Sequence, residues 1–256
     1  MLNEEMRGIS FKGTEGKFFK TNDGVVEVLQ FITPYNIVVR FLDTGYITSV
    51  RSGHLRDGVL KDKMKPSLYG VGILGDGISR KNGKLTKEYS IWSGMIGRCY
   101  NENNRSKAQS YFDCDVSEKF KFFPFFSDWC KKQKGFENDG WHLDKDIIVK
   151  GNKIYSEDVC CFVPNEINVL IVNSKKTRGD LPIGVNFQKH TGRYAAEVWK
   201  FNKKEYIGAY DSPLEAFHSY KKVKEEHIKV IANKWKDQID VRVYESLMNW
   251  EVCIDD

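Results

Sequence analysis

Apolar and polar residues alternate along two parts of the chain, and this period of two predicts two groups of β-strands. Near the N-terminus three segments are rich in β-branched and aromatic residues: residues 25–31, 37–41 and 46–50. The sequence Asp-Thr-Gly at 43–45 supplies a turn between the last two. Alternation returns at 193–200 and 206–210, with a polar turn at 203–205 between them. We therefore expect a small β-barrel or curled sheet first, and a shorter sheet near the C-terminus.

Apolar residues at spacings of three and four predict helices in the middle and near the end of the chain. The first helix begins at the N-cap Thr86, and its apolar face consists of Tyr89, Trp92, Met95, Ile96 and Cys99. A second, aromatic face follows at Phe120, Phe123, Phe126 and Trp129. Ser212, Pro213 and Glu215 then provide an N-cap, a first-turn proline and a capping-box glutamate for a last helix. Its apolar stripe is expected to cover the back of the second sheet: Ala216, Phe217, Tyr220, Val223, Ile228, Ile231 and Trp235.

Between these helices the chain has the order strand, glycine turn, strand or loop, and helix, which is a ββα outline. The segments are residues 141–147, 150–153, 155–162 and 163–168. The whole pattern predicts an α+β protein of three small modules. They are an N-terminal β-rich, barrel-like domain at 1–83, a central ββα-containing domain at 84–178, and a C-terminal three-stranded sheet packed on one helix, with an acidic tail, at 179–256.

Residues 70–75 match the glycine pattern GxGxxG of dinucleotide-binding loops. The following residues 76–83 contain two more glycines and no apolar period, so they cannot open the helix that such a site requires. The sequence therefore predicts a flexible turn and linker here.

Composition narrows the class of protein. The chain has 256 residues, 41% of them hydrophobic, which is enough for packed cores in two or three small domains. It has no run of eighteen apolar residues, and residues 1–13 lack the apolar core of a signal peptide. The six cysteines show no CxxC spacing, and their scatter suits buried thiols in a reducing compartment. These features predict a cytoplasmic protein with no membrane partner.

Positive charge is concentrated toward the C-terminus. Residues 175–237 contain 14 Lys and Arg against 8 Asp and Glu, a net charge of +6, whereas the whole chain carries +5. Because a basic sheet with interleaved aromatic residues suits phosphate contacts and groove insertion, this module is expected to bind DNA.

Residues 192–200 and 206–216 resemble the DNA-binding domain of plant ethylene-response factors, whose three-stranded sheet lies in the major groove. Phage homing endonucleases of the HNH type carry the same module. The resemblance, with the basic residues around it, implies a DNA-binding set: Asn186, Gln188, Lys189, Arg193, Tyr194, Glu197, Trp199, Lys200, Lys203, Lys204 and Tyr206. Asn186 and Trp199 occupy positions where the family has guanine-reading arginines, and Tyr206 occupies a position where the family has a tryptophan. Asparagine moves the favoured base contact from guanine toward adenine.

The middle of the chain resembles the HNH endonuclease family of phages. The matching residues are Trp92, Met95, Arg98, Cys99, Leu143, Asp144, Gly151, Asn152, Tyr155, Ser156 and Asn168. In that family a base, usually histidine, activates water, and one divalent metal stabilises the charge that develops on the phosphate.

This second resemblance implies metal-dependent cleavage or nicking of double-stranded DNA. His142 would be the base, and Asp144 with Asp146 or Asn168 would hold Mg²⁺ or another divalent cation. Asp144 and Asp146 lie two residues apart, so they are expected on one face of a strand, where both carboxylates would address the metal.

The chain departs from the HNH pattern at three positions. Val159 stands where the family has an asparagine, Cys161 replaces the usual arginine, and His142 precedes the Leu-Asp pair instead of following it. A valine side chain cannot make the hydrogen bond of an asparagine. A catalytically inactive, HNH-derived factor that binds DNA or a host protein during infection therefore stays open beside the nuclease. The acidic residues 238–256 suit either a protein contact or solubility.

Overall fold

The computed structural model describes residues 10–103, 113–171, 180–201 and 203–256. The chain divides into two compact units, residues 1–128 and 129–256, and the division falls within one helix. Both units combine helices with small sheets, so the α+β class is confirmed. A module boundary at 83 stays a prediction, and the one at 178 lies outside the described residues.

The first unit begins with a sheet and continues with short helices. Its elements are β1 (Phe18–Thr21), β2 (Gly24–Thr33), β3 (Asn36–Phe41), β4 (Ile47–Val50), α1 (Ser52–Arg56), β5 (Arg80–Lys81), β6 (Lys84–Leu85), α2 (Lys87–Tyr100), β7 (Asp115–Val116) and α3 (Glu118–Lys121). The helix α4 (Phe123–Lys132) contains the division between the units.

Strands β1 to β4 form an antiparallel sheet in chain order. The three strands expected from the sequence are confirmed, and β1 is an additional one. The sheet is open, with β1 and β4 as its edges among the described residues, so of the two expected forms, a barrel or a curled sheet, the closed barrel does not form. Its buried core is Phe11, Val26, Val28, Ile37, Val39, Phe41, Val50, Leu55 and Leu60.

The segment expected as a flexible linker is packed against aromatic rings of the same unit. A Cβ at Gly72 would lie 2.9 Å from the Trp92 ring, and one at Gly77 would lie 2.3 Å from Phe123. The Trp92 indole also donates a hydrogen bond of 2.7 Å to the carbonyl of Phe120. These glycines therefore serve close packing, which a pattern of glycine spacing does not reveal.

The predicted helix starts are largely confirmed. Thr86 caps α2 by accepting a hydrogen bond of 3.3 Å from the amide of Tyr89. The aromatic stretch that follows is not one helix, because the chain leaves helical geometry at Phe122 before α4 starts. Pro124 explains the break, since proline is tolerated in the first turn of a helix but not in its interior.

The described residues of the second unit combine small antiparallel sheets with helices. Its elements are β8 (Trp141–Asp144), β9 (Ile154–Tyr155), β10 (Cys161–Pro164), α5 (Asn165–Leu170), β11 (Val185–Gln188), β12 (Arg193–Lys200), β13 (Lys203–Tyr210), α6 (Pro213–Trp235) and α7 (Val241–Met248). Strands β8 and β10 pair antiparallel and α5 follows directly, while β11, β12 and β13 form an antiparallel sheet in chain order.

Helix α6 holds the three-stranded sheet from one side. Ser212 caps it, with the amide of Glu215 donating at 3.2 Å, as its sequence predicts. Ala216, Phe217, Tyr220 and Ile231 are buried against the sheet and the neighbouring elements. This burial of a continuous apolar stripe fixes which side of the sheet remains exposed.

The acidic segment at the C-terminus is packed and does not form an extended tail. Val243 and Leu247 of α7 are fully buried in the same core as α6. Beyond α7, the Nζ of Lys150 lies 2.7 Å from a carboxylate oxygen of Asp256. Apolar residues at helical spacing between the acidic ones explain this packing.

Within the described residues, no helix has both the length and the apolar character needed to cross a bilayer.

Candidate nucleic-acid interface

The register of the three-stranded sheet decides which predicted DNA-binding residues share a surface. Asn186 lies opposite Ala195, and Glu197 lies opposite Tyr206. Directly opposite residues of antiparallel strands point to the same side of the sheet. We call the side away from α6 the outer face; its residues are Asn186, Gln188, Arg193, Ala195, Glu197, Trp199, Lys204, Tyr206 and Ala209.

The other side of the sheet carries the core. Val185, Ala196 and Val198 are at most 3% exposed and pack with the apolar residues of α6. The register shifts at Ala196 and Glu197, so that Ile207 of β13 is an extra residue with no partner on β12. Such a bulge increases the local twist of a sheet.

A carboxylate at the centre of the outer face links all three strands. The Glu197 carboxylate on β12 accepts a hydrogen bond of 2.5 Å from the Asn186 amide on β11. The same oxygen lies 2.5 Å from the Nζ of Lys204 on β13. The side chains of Asn186 and Lys204 are therefore held in position, and the charge of Lys204 is partly balanced within the protein.

Two large aromatic side chains of the outer face are open to solvent. Trp199 is 62% exposed and Tyr206 is 56% exposed. Rings that stay in solvent do not gain the free energy that burial would provide. On a surface that also carries cations, they offer flat surfaces to sugars or bases.

Two cations of this module contact nearby carboxylates. The Nε of Arg193 donates to Asp211 at 2.9 Å, and the Nζ of Lys200 lies 3.3 Å from Glu205. The acidic partners are 84% and 54% exposed, so these pairs contribute little to stability. A phosphate could replace either carboxylate as the partner at low energetic cost.

Four residues of the predicted DNA-binding set lie away from the outer face. The Tyr194 ring packs 5.2 Å from that of Phe187, on the side that faces α6. Lys200 and Lys203 lie opposite each other at the end of β12 and β13 on that same side. Lys189 follows the last residue of β11. Sequence reasoning also missed Phe201, whose 61% exposure depends on where the hairpin turns.

The two aspartates of the predicted metal site do not share a strand face. Strand β8 ends at Asp144, whose Oδ1 accepts hydrogen bonds of 2.8 Å from the amides of Asp146 and Ile147. This contact turns the chain out of the strand, so Asp146 lies in the following bend. The Asp146 carboxylate is 2.9 Å from the Nζ of Lys145, which also donates to the carbonyl of Asn152 at 2.9 Å.

The Asp144 carboxyl is a weaker acid than an ordinary aspartate. Burial raises its pKa to about 6, and the nearby charge of Asp146 contributes in the same direction. The two backbone amides that bind the carboxylate oppose the rise. Burial likewise raises the pKa of the neighbouring Cys161 thiol well above its usual value.

The remaining residues of the predicted site lie on neighbouring elements. His142 is exposed on β8, on the same face as Asp144, and Asn168 is half-buried on α5. In the described ranges, no hydrogen bond joins either residue to the aspartates. Nor do three or more His, Cys, Asp or Glu side chains form a group there that could hold a metal ion.

The donor types nevertheless suit a hard cation. Carboxylate and amide oxygens are the ligands that Mg²⁺ accepts. The hydrogen bonds of the described residues engage Oδ1 of Asp144 and Oδ2 of Asp146, and the two carboxylates also interact with each other. A metal ion bound at Asp146 would share this carboxylate with the ammonium group of Lys145.

No family model, curated protein or solved structure matches this chain. The resemblances to response-factor and HNH domains therefore stay predictions from the sequence.

Proposed function

We propose that this chain binds double-stranded DNA through the outer face of the β11–β13 sheet. The observation that carries the proposal is the composition of that face: cations, an oriented amide and exposed aromatic rings span three strands, while α6 buries the opposite side. A rigid sheet that presents such groups from one side can enter a major groove as strands do in known β-sheet readers.

Different side chains of the outer face would contact different parts of the duplex. Lys204 and Arg193 would bind phosphates, since both extend from the outer face and have only exposed or partly exposed carboxylates as partners. The amide of Asn186 would read a base edge, with adenine favoured. Trp199 and Tyr206 would contact sugars or bases with their exposed rings.

The test is the salt dependence of duplex binding, measured by fluorescence anisotropy on a labelled duplex. We expect affinity to fall steeply as salt rises, because each neutralised phosphate contributes about 0.9 to the slope of log K against log salt. Replacing Lys204 with glutamine should lower affinity for all sequences alike and reduce that slope by about 1.

The matched control is Lys229→Gln, which removes the same charge from an exposed position on α6. Its slope should stay close to that of the wild type. Affinity that does not change with salt, or equal losses in the two variants, would refute binding through the outer face.

A second candidate function is metal-dependent cleavage of the bound duplex. The supporting observation is the antiparallel pair β8 and β10 followed directly by α5, with His142 and Asp144 on one face of β8. In this role His142 would accept a proton from water, while Asp144, Asp146 and Asn168 would hold Mg²⁺, which would supply charge stabilisation at the phosphate.

Cleavage is tested with supercoiled plasmid in Mg²⁺ or Mn²⁺, with chelator and Asp144→Ala as controls. Nicking that needs both the metal and Asp144 supports the nuclease. If no metal produces nicks while duplex binding persists, the protein is a non-catalytic binder, and a host protein becomes the further partner to seek. In either case we place its action in the cytoplasm of a host cell, because buried thiols suit a reducing compartment.

A further inference from the structure

A groove of about 420 Å³ lies between α5, α6 and the end of the β12–β13 hairpin. Small-molecule sites in proteins have volumes of roughly 300–1,000 Å³. Its chemically distinctive lining residues are Asn165, Glu166, Trp199, Phe201, Lys224 and His227. Only Trp199 of these also belongs to the outer face, so the groove is a separate candidate site.

Two exposed rings flank the groove. Trp199 and Phe201 are 62% and 61% exposed, although both are large enough to gain much free energy from burial. Phe201 has a φ of 47°, the left-handed conformation that a two-residue hairpin turn between Lys200 and Lys203 requires, so the turn itself presents this ring.

The floor of the groove carries positive charge and an imidazole. His227 is only 6% exposed. Its ring packs edge-on to Phe201 with the centroids 4.9 Å apart. Burial lowers the pKa of His227, and Lys224 and Lys200 add to that effect. Burial also lowers the pKa of Lys224. An anion in the groove would give both side chains a partner.

A fixed carboxylate lies on the wall formed by α5. Glu166 accepts hydrogen bonds of 2.6 Å from Lys234 and 2.7 Å from the Trp235 indole. Lys234 balances its charge, so the carboxylate does not prevent an anion from binding at Lys224. An acceptor of this kind can instead recognise an amino group on the edge of a base.

We propose that this groove binds a single nucleotide, with its base against Trp199 and Phe201 and its phosphate at Lys224 and His227. The same chemistry could be supplied by a free mononucleotide or by one nucleotide turned out of a bound strand. The combination of flat aromatic surfaces, a cation and a largely buried imidazole is what distinguishes a nucleotide site from a site for an apolar ligand or a simple anion.

The experiment uses the full chain and titrates the four deoxynucleoside monophosphates while tryptophan fluorescence is followed. In a parallel arm, duplexes with and without a single-base bulge compete for binding. Lys224→Met keeps the aliphatic stem of the side chain and removes its charge. It should weaken mononucleotide binding, or the preference for the bulged duplex, by about tenfold, which corresponds to about 1.4 kcal/mol.

Lys222→Met, at an exposed position of the same helix, is the matched control and should have no effect on either measurement. Phe201→Leu gives a second test that leaves every charge in place, and it should weaken binding through lost stacking. Thermal melting of each variant shows whether it is folded. Binding to the intact duplex reports on the outer face, so its loss or survival is scored separately. If the mononucleotides do not bind at about 1 mM and the bulge brings no preference, the groove is not a nucleotide site.

Discussion

At the scale of single residues, one carboxylate orders the side chains of the outer face and also limits the affinity of that face for DNA. Glu197 holds Asn186 and Lys204 in place across three strands, at a surface that is proposed to meet a polyanion. Its charge therefore improves geometry within the sheet but repels phosphate. The resemblance to response-factor domains includes Glu197, but only the register shows what it binds.

Replacing Glu197 with glutamine separates these two effects. The variant keeps an acceptor for Asn186 and removes one negative charge, so its affinity for duplex DNA should rise, by about threefold to tenfold at low salt. The free energy of unfolding should change by less than about 1 kcal/mol. Anisotropy and urea denaturation measure the two quantities. Lower affinity in this variant would mean that the carboxylate itself contacts a base.

A buried acid gives a second prediction at this scale. The pKa of Asp144 is about 6 in the folded chain and close to 3.8 when unfolded. Between these values the folded state binds more protons, so this residue makes the free energy of unfolding fall as pH rises from about 4 to 6. The loss is at most about 3 kcal/mol, at about 1.4 kcal/mol per pKa unit.

In Asp144→Asn the decline with pH over that window should become smaller, and urea denaturation at a series of pH values measures it. The same decline in both proteins would show that Asp144 titrates as an ordinary exposed carboxylate.

At the scale of elements, the contact between α6 and the sheet depends on a glycine just before β11. Gly184 has a φ of 75°, and a Cβ there would lie 2.1 Å from the Tyr220 ring on α6. Gly192, just before β12, has a φ of 70° and open space around it. The two glycines have the same backbone requirement, but only the first lies against the helix.

Alanine at each position therefore distinguishes strain from packing. Gly192→Ala should lose about 1–2 kcal/mol of unfolding free energy, from the left-handed conformation alone. Gly184→Ala should lose about 1–3 kcal/mol more, because the methyl group must displace a buried ring. Urea denaturation followed by far-UV circular dichroism provides the comparison. Equal losses would show that Tyr220 moves aside without cost.

At the scale of the whole molecule, the distribution of thiols reports on the packing of both units. Cys253 is exposed, whereas the other five cysteines are buried, and the six thiols form no disulfide. Cys253 also lies 3.5 Å from the Nζ of Lys150.

A thiol reagent should consequently label one cysteine rapidly in the native protein and all six in denaturant. Mass spectrometry of the labelled peptides identifies the site, and Cys253→Ser is the control that should leave the native protein unlabelled. Rapid labelling of Cys160 or Cys161 would contradict the packing of β10.

The sequence by itself determined the elements whose signals are local. Alternation located β2, β3 and the strands near the C-terminus, and the caps at Thr86 and Ser212 located the starts of two helices. These signals succeed because strand period and cap geometry depend on neighbours within a few residues. Reliance on local signals also explains the error at the acidic C-terminal segment. Its acidic residues predicted a tail, although apolar residues at helical spacing among them form the buried face of α7.

Only the tertiary structure decided which residues share a surface. The register divided the predicted DNA-binding set between two sides of a sheet, and the hydrogen bonds of Asp144 turned Asp146 out of the strand. The groove at Lys224 and His227 combines residues of three elements that are far apart in the chain. Pairing register, loop closure and burial depend on contacts across the fold, and composition and spacing along the chain do not specify them.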